Sequence, residues 1–295
     1  MIYHFIINMS SLSLQEFDLK QIKMDICGTP RILVYGPTGS GKSLLIVDIL
    51  YHHQDVPIVT IVSPTERFNH TYKDIVPELF IHDFSKEIIK KFIQRQEFIQ
   101  DKQKNDPKYK KIDPRAILIL DDSLHKIKKI SHDEDIDFLF IAGRWVSAAP
   151  IFAIQDPIGL SPTQRGQLSY TFIFYDPLET NKKKLFEHYA GVFPNYRMFS
   201  DALDYYSQDF GCLVIDHTNK RARKIEEKVF WYQAKKHPKF RMCDEQFWNA
   251  LKVDQVEDET EKLKNTNITN KSGITEFRRL KKEHIEEYNP SLKWF

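Results

Sequence analysis

The stretch Ile32-Leu33-Val34-Tyr35-Gly36-Pro37-Thr38-Gly39-Ser40-Gly41-Lys42-Ser43 decides the fold. Its second part fits the pattern G-x-x-x-x-G-K-[ST], a phosphate-binding P-loop. The apolar run Ile32 to Tyr35 ahead of it has the length of a buried parallel strand. Behind it, Ser43-Leu44-Leu45-Ile46-Val47-Asp48-Ile49-Leu50 reads as an apolar-faced helix. Strand, glycine loop and helix together turn a pattern match into a site. Loop glycines let backbone N–H groups curl around phosphates, and the helix N-terminus adds its positive end. In this reading Gly36, Pro37, Thr38, Gly39, Ser40, Gly41, Lys42 and Ser43 cradle ATP. Lys42 reaches the β- and γ-phosphates and the Ser43 hydroxyl ligates Mg²⁺.

Outward from the loop, strand-like runs alternate with helix-like segments, the pattern of a doubly wound α/β sheet. The strands read as Pro57 to Val62, Leu79 to His82, Ala116 to Leu120, Pro150 to Ile154, Tyr170 to Phe174, Cys212 to Ile215 and Val229 to Tyr232. A long charged helix is expected over Ser85 to Lys104, a surface loop over Asn105 to Pro114, and a helix over Asp135 to Val146. The chain divides into an N-terminal segment (1–28), a P-loop ATPase domain (29–250) and a polar tail (251–295) that reads as mobile. Within that tail, Arg278 to Tyr288 has the pattern of a short amphipathic helix.

At 295 residues, 41% of them hydrophobic and 28% charged, the chain has a globular composition and can bury a large core. Its net charge of +2 is small, but the charge is unevenly spread. Lys86 to Lys111 holds nine basic residues against four acidic ones, and Lys220 to Arg241 nine against two. Such patches on a near-neutral chain suit a polyanion, though solvated helix faces and loops produce them as well. Cys27, Cys212 and Cys243 lack C-x-x-C spacing, which indicates neither a disulfide framework nor a zinc site and fits a reducing compartment. Met1 to Met9 has no basic flank or cleavage site of a signal peptide, and no run is long enough to span a membrane.

The chemistry centres on Ala116-Ile117-Leu118-Ile119-Leu120-Asp121-Asp122, an apolar strand ending in two carboxylates. Downstream of a P-loop this is the Walker B form. It assigns Asp121 to Mg²⁺ and Asp122 to the attacking water. Many ATPases carry glutamate at the second position, so the shorter reach of aspartate leaves the general base open. Gln155, at the tip of another strand, can sense the γ-phosphate and orient water. Arg165 lies in a loop expected to be exposed, at the C-terminal side of the sheet, where a guanidinium could stabilise phosphoryl-transfer charge.

The order Ser63-Pro64-Thr65-Glu66, Asn69, Tyr72, Pro77, Phe80-Ile81, Gln94-Arg95-Gln96, Asp121-Asp122 and Gly143-Arg144 resembles the genome-packaging ATPases of nucleocytoplasmic large DNA viruses. So do Gln155 to Pro162, Arg165, Asp209 to Asp216 and Phe230-Trp231-Tyr232. These enzymes belong to the FtsK–HerA superfamily, with relatives in virophages and large transposons. The likeness runs from about Arg31 to Tyr232. It implies a RecA-like P-loop NTPase of the ASCE type, mainly parallel, with an extra strand between the P-loop and Walker B strands. It implies a homo-oligomeric ring that uses ATP and Mg²⁺ to drive double-stranded DNA, without sequence preference, into a preformed capsid. Capsid or portal proteins would be partners, and the host cytoplasm or the virion the location. On that pattern Gln155 is the polar sensor and Arg165 the finger serving a neighbouring subunit, with Arg144 the second candidate. Members often carry Arg-His where this chain has Arg144-Trp145, so a histidine role there does not transfer. Lys182, Lys183, Lys184 and the Lys220 to Lys224 cluster are candidates for DNA contact. The other readings are a helicase or conjugation-type motor of the same superfamily, and an ATP-binding scaffold that does not hydrolyse.

Overall fold

The computed structural model describes residues 12–26, 28–122 and 133–249. The expected polar tail, its helix over Arg278 to Tyr288, Met1 to Met9 and Cys27 lie outside the described residues. The strands are β1 (Ile32–Tyr35), β2 (Ile58–Val62), β3 (Ile81–His82), β4 (Ala116–Leu120), β5 (Ala148–Ile154), β6 (Tyr170–Phe174), β7 (Gly211–Asp216) and β8 (Val229–Gln233). They form one eight-stranded sheet in the order β3-β2-β4-β5-β1-β6-β7-β8. Every pairing from β3 across to β6 is parallel. β7 and β8 then add an antiparallel margin. β5 lies between the P-loop strand β1 and the carboxylate-bearing β4, the insertion that the resemblance implied.

The residues explain the layering. β1, β2, β4, β5 and β6 are buried along their whole length. Strands covered on both faces by crossover helices need continuous apolar runs, and Ala116-Ile117-Leu118-Ile119-Leu120 is one. The helices are α1 (Lys42–Tyr51), α2 (Glu66–Asn69), α3 (Lys86–Asn105), α4 (Glu134–Ile141), α5 (Pro162–Arg165), α6 (Glu179–Tyr189) and α7 (Tyr196–Tyr206). In α3, Ile89, Phe92, Ile93, Gln96 and Ile99 make the buried stripe, and Ser85 caps the start by accepting from the Glu87 N–H.

Several boundaries differ from expectation. The helix expected through Val146 ends at Ile141 and continues as a 3₁₀ turn over Gly143–Val146, closed by Ser147 at φ 56°. Leu79 and Phe80 belong to a 3₁₀ turn, leaving only Ile81–His82 as strand. Two helices, α6 and α7, fill a region where the sequence reading placed none. Residues before 28 also enter the core. Phe17 is 2% exposed and packs edge-on to Tyr170, Phe172 and Phe230. Its N–H bonds the Trp231 carbonyl at 2.8 Å while Trp231 N–H bonds Gln15 O at 3.1 Å, so this segment covers part of the β8 edge.

Candidate functional site

The parallel strands β1, β2, β4 and β5 all end at one edge of the sheet, where ligands of open α/β folds bind. The P-loop leaves β1 there, anchored by Gly36 N–H to Ile154 O at 3.1 Å. Glycine at 36 is sterically required, since a Cβ would stand 2.9 Å from the Phe174 Cβ. Gly41, the N-cap of α1, adopts φ 105°, a conformation closed to side-chain-bearing residues without strain. Lys42 is 5% exposed and folds its ammonium back into the loop. It donates to Gly36 O at 2.8 Å and Pro37 O at 3.0 Å. Burial lowers its pKa, opposed by the charges of Asp122 and Asp121. The Ser40 hydroxyl oxygen is buried there without a hydrogen-bond partner, the kind of group a phosphate oxygen would satisfy.

Ser43, on the first turn of α1, donates its hydroxyl to Asp121 Oδ2 at 3.1 Å. Asp121 is 1% exposed. Burial pushes its carboxyl above the usual carboxylate range; the Tyr72 hydrogen bond opposes this and neighbouring Asp122 adds to it. Tyr72 donates to the same Oδ2 at 2.8 Å. Tyr72 is itself held by Glu66, whose carboxylate accepts its N–H at 2.7 Å and that of Thr71 at 3.0 Å. Glu66 and Tyr72 carried the family likeness without a role. Their chemistry here is to aim Asp121, an interaction between the β2–β3 connection and β4 that no local pattern announces.

The next residue points elsewhere. Asp122 has φ 49°, which turns the chain as it leaves β4. Gln155, at the tip of β5, donates Nε2–H to Asp122 Oδ1 at 2.6 Å and accepts from the Thr38 hydroxyl at 3.1 Å. A relay Thr38–Gln155–Asp122 therefore links the loop, β5 and β4. On the opposite flank of the loop, a Cβ at Gly41 would stand 3.4 Å from both Phe174 Cε1 and Phe210 Cβ. Phe210 is 60% exposed. Both Asp209 and Phe210 have positive φ, 49° and 64°, strained for non-glycine residues. In sequence, Phe210 stood only within the Asp209 to Asp216 run that carried the family likeness, without a role of its own.

The arginines and lysines are placed differently from expectation. Arg165 is half-buried on α5 rather than in an exposed loop, because Ser161 and Gln164 form a capping box that orders the segment. Its Nη1 donates to Leu160 O at 2.5 Å and its guanidinium lies 5.9 Å from the Tyr189 ring centre. Four residues later Ser169 N–H bonds Arg31 O, so Arg165 sits on the returning limb of the β5–β6 connection. Arg144 is exposed over Trp145 just before β5, at the opposite edge of the sheet from the P-loop. Lys182 is 6% exposed and paired with Asp204 at 2.5 Å, beneath Tyr175. Its ammonium is therefore not available to DNA, contrary to the sequence-based expectation. Lys183 is exposed, as are Lys220, Arg221, Arg223 and Lys224 on the β7–β8 hairpin, which turns at that opposite edge. Among the described residues no helix is long and apolar enough to cross a membrane.

Loop, helix and carboxylate strand in this sheet order define a P-loop NTPase of RecA-like architecture. No family model matches the chain. It is 38% identical to uncharacterized protein L437 of Acanthamoeba polyphaga mimivirus, over 77% of this chain and 79% of that one. It is 32% identical to uncharacterized protein 075L of Invertebrate iridescent virus 6, over 75% and 85% respectively. Among solved structures, the DNA-packaging ATPase B204 of Sulfolobus turreted icosahedral virus aligns with a TM-score of 0.46 at 16% identity, covering 70% of this chain and 98% of that one. The chain belongs to the family of nucleocytoplasmic large DNA virus proteins that includes L437 and 075L, the family its motif order resembles.

Proposed function

We propose that the protein is an ATP-driven motor that moves double-stranded DNA into viral capsids, with residues 29–250 as its ATPase domain. The observation that carries hydrolysis is the Thr38–Gln155–Asp122 relay, which holds one carboxylate free of Asp121 and beside the phosphate loop. Membership in a large-DNA-virus family supports packaging as the task. The exposed basic hairpin supports contact with a polyanion.

Each residue has a role in this reading. Lys42 exchanges its two loop carbonyls for β- and γ-phosphoryl oxygens, giving charge stabilisation that grows in the transition state. Ser43 and Asp121 present hard oxygen donors on facing elements, a set that suits Mg²⁺. When bound, Mg²⁺ would neutralise phosphate charge. Asp122, fixed by Gln155, orients water in line with the γ-phosphorus. The water oxygen bonds to the γ-phosphorus as the bond from that phosphorus to the β–γ bridging oxygen breaks, ADP leaves with the bonding pair, and the water proton passes to Asp122. Phe210, across the loop from this group, offers its exposed face to the nucleobase. Arg165 serves a neighbouring subunit's nucleotide in a ring, after leaving Leu160. The work is done in the host cytoplasm or at the virion.

The deciding experiment is the ATPase rate with and without long duplex DNA, on protein of known oligomeric state. Stimulation by duplex of any sequence is expected. Stimulation by single strands alone would favour a helicase, and ATP binding without phosphate release under any condition would leave a scaffold.

A further inference from the structure

A second polar cluster lies at the far end of α1, away from the nucleotide edge. Asp48 is fully buried in the middle of that helix. Its Oδ1 faces two imidazoles: His237 Nε2 at 2.6 Å and His52 Nε2 at 3.5 Å. The three donor atoms all lie within 4.8 Å of one another. His52 arrives from one helical turn along α1, and His237 from the segment after β8. Tyr51 stacks on the His237 ring at 3.7 Å and 8°, fixing the plane that aims Nε2 at the carboxylate.

We propose that Asp48, His52 and His237 bind a divalent transition-metal ion of the Zn²⁺ class. Two imidazoles and one carboxylate are a recurrent donor set for such ions, whereas Mg²⁺ prefers oxygen ligands. Donors bound tetrahedrally at about 2.0–2.2 Å stand roughly 3.3 Å apart, a spacing that small side-chain shifts would reach. The carboxylate is also supported from behind. Its Oδ2 accepts from the Tyr232 hydroxyl and from Lys235 N–H, each at 2.7 Å. Outer hydrogen bonds of this kind orient a ligating carboxylate. A single hydrogen bond to Oδ1 accounts for His237 but leaves the convergence of His52 on the same atom without a purpose.

The ion would staple the C-terminal end of α1 to the segment after β8. Lys42 and Ser43 stand at the other end of the same helix, so the staple would hold the helix that positions them. The side chains of His52 and His237 are 20% and 12% exposed, which leaves a path for an ion and a fourth position for water.

The test uses the full chain, treated with chelator and titrated with Co²⁺ alone, without nucleotide. The ligand-field absorption of tetrahedral Co²⁺ should saturate at one equivalent, and Zn²⁺ should displace it. His52→Gln and His237→Gln keep a side-chain N–H that can bond Asp48, which preserves the fold while removing an imidazole. Each should weaken Co²⁺ binding about a hundredfold or more, since even outer-shell changes cost about 10–100-fold. Thermal melts of the same variants report folding separately. Absence of the tetrahedral absorption, or its persistence in folded Gln variants, overturns the proposal and leaves a hydrogen-bonded knot. Neither result depends on ATP hydrolysis.

Discussion

The two edges of the parallel sheet contrast sharply. At the edge where β1, β4 and β5 end, polar groups are tied to one another, with Lys42, Tyr72 and Asp121 buried: Lys42 to the loop carbonyls, Ser43 and Tyr72 to Asp121, and, at the exposed rim, Gln155 to Asp122. At the opposite edge, charge is exposed. Arg144 lies over Trp145, itself 65% exposed, and the hairpin carries Lys220, Arg221, Arg223 and Lys224. Buried, interlocked groups have one geometry and suit chemistry. Exposed charges on mobile side chains suit a partner recognised by charge alone. Under the proposed function, turnover belongs to the first edge and grip to the second.

The largest expected effect tests the first half. Lys42→Ala should leave no turnover above background, because the phosphates lose their counterion in the transition state. Asp122→Asn should keep nucleotide binding and lose most hydrolysis. Loss of binding instead would move Asp122 into the metal shell. A rate within about threefold of wild type for Lys42→Ala would remove the P-loop as the site of chemistry.

Arg165 belongs to neither edge as it stands, since Leu160 O holds its guanidinium. If it crosses to a neighbouring subunit, Arg165→Ala should bind ATP normally and hydrolyse about 10³–10⁵ times more slowly. Mixing Arg165→Ala with Lys42→Ala protein should then restore part of the activity. An intact P-loop would sit beside an intact finger in such mixed rings. No rescue in verified mixed rings would point to Arg144 or to a finger acting within its own subunit.

What was legible in sequence follows the same division. The P-loop, Asp121-Asp122 and Gln155 were readable because strand, tight turn and helix encode them locally. Tyr72 and Glu66 reach Asp121 from a connection distant in sequence, so their role needed the fold. Lys182 misled for the converse reason: in a lysine run, only packing reveals which side chain turns inward to Asp204. In α6 the run Lys182-Lys183-Lys184 obscures a 3.6-residue period, whereas α7 carries a clear one, with Tyr196, Phe199, Leu203 and Tyr206 on its packed face, that the strand-by-strand reading passed over. The insertion of β5 between β1 and β4 came from the family likeness, since strand order is not written in any local pattern.

A middling effect is expected at Phe210. Stacking of a base on an aromatic ring is worth about 1–3 kcal/mol, so Phe210→Ala should weaken ATP binding by about 5–150-fold. Tripolyphosphate, which has no base, should bind the variant as it binds wild type. Equal losses for both ligands would make Phe210 a support of the loop rather than of the base. At the other edge, replacing Lys220, Arg221, Arg223 and Lys224 by Ala should lower DNA affinity. The slope of log K against log salt should become shallower by about one for each phosphate no longer neutralised. An unchanged slope would assign the hairpin to solvent or to a protein partner.

The smallest effect measures what the buried edge costs. The folded carboxyl of Asp121 has its pKa raised above the unfolded value, chiefly by burial. The folded state therefore binds more protons than the unfolded state between those two values, and stability falls as pH rises through that window. Above it the full penalty is present; below the unfolded value it vanishes. Asp121→Asn, which removes the charge and keeps an acceptor for Ser43 and Tyr72, should raise the melting temperature of nucleotide-free protein at neutral pH. About 2–4 °C is expected for each kcal/mol in a domain of this size. The gain should shrink toward acid, and Mg²⁺-dependent turnover should be lost. The hairpin substitutions, at exposed positions, should leave the melting temperature unchanged at every pH. A melting temperature lowered by Asp121→Asn at neutral pH would mean that the hydrogen bonds from Ser43 and Tyr72 outweigh the burial of the charge. The nucleotide edge would then be held together by Asp121 rather than strained by it.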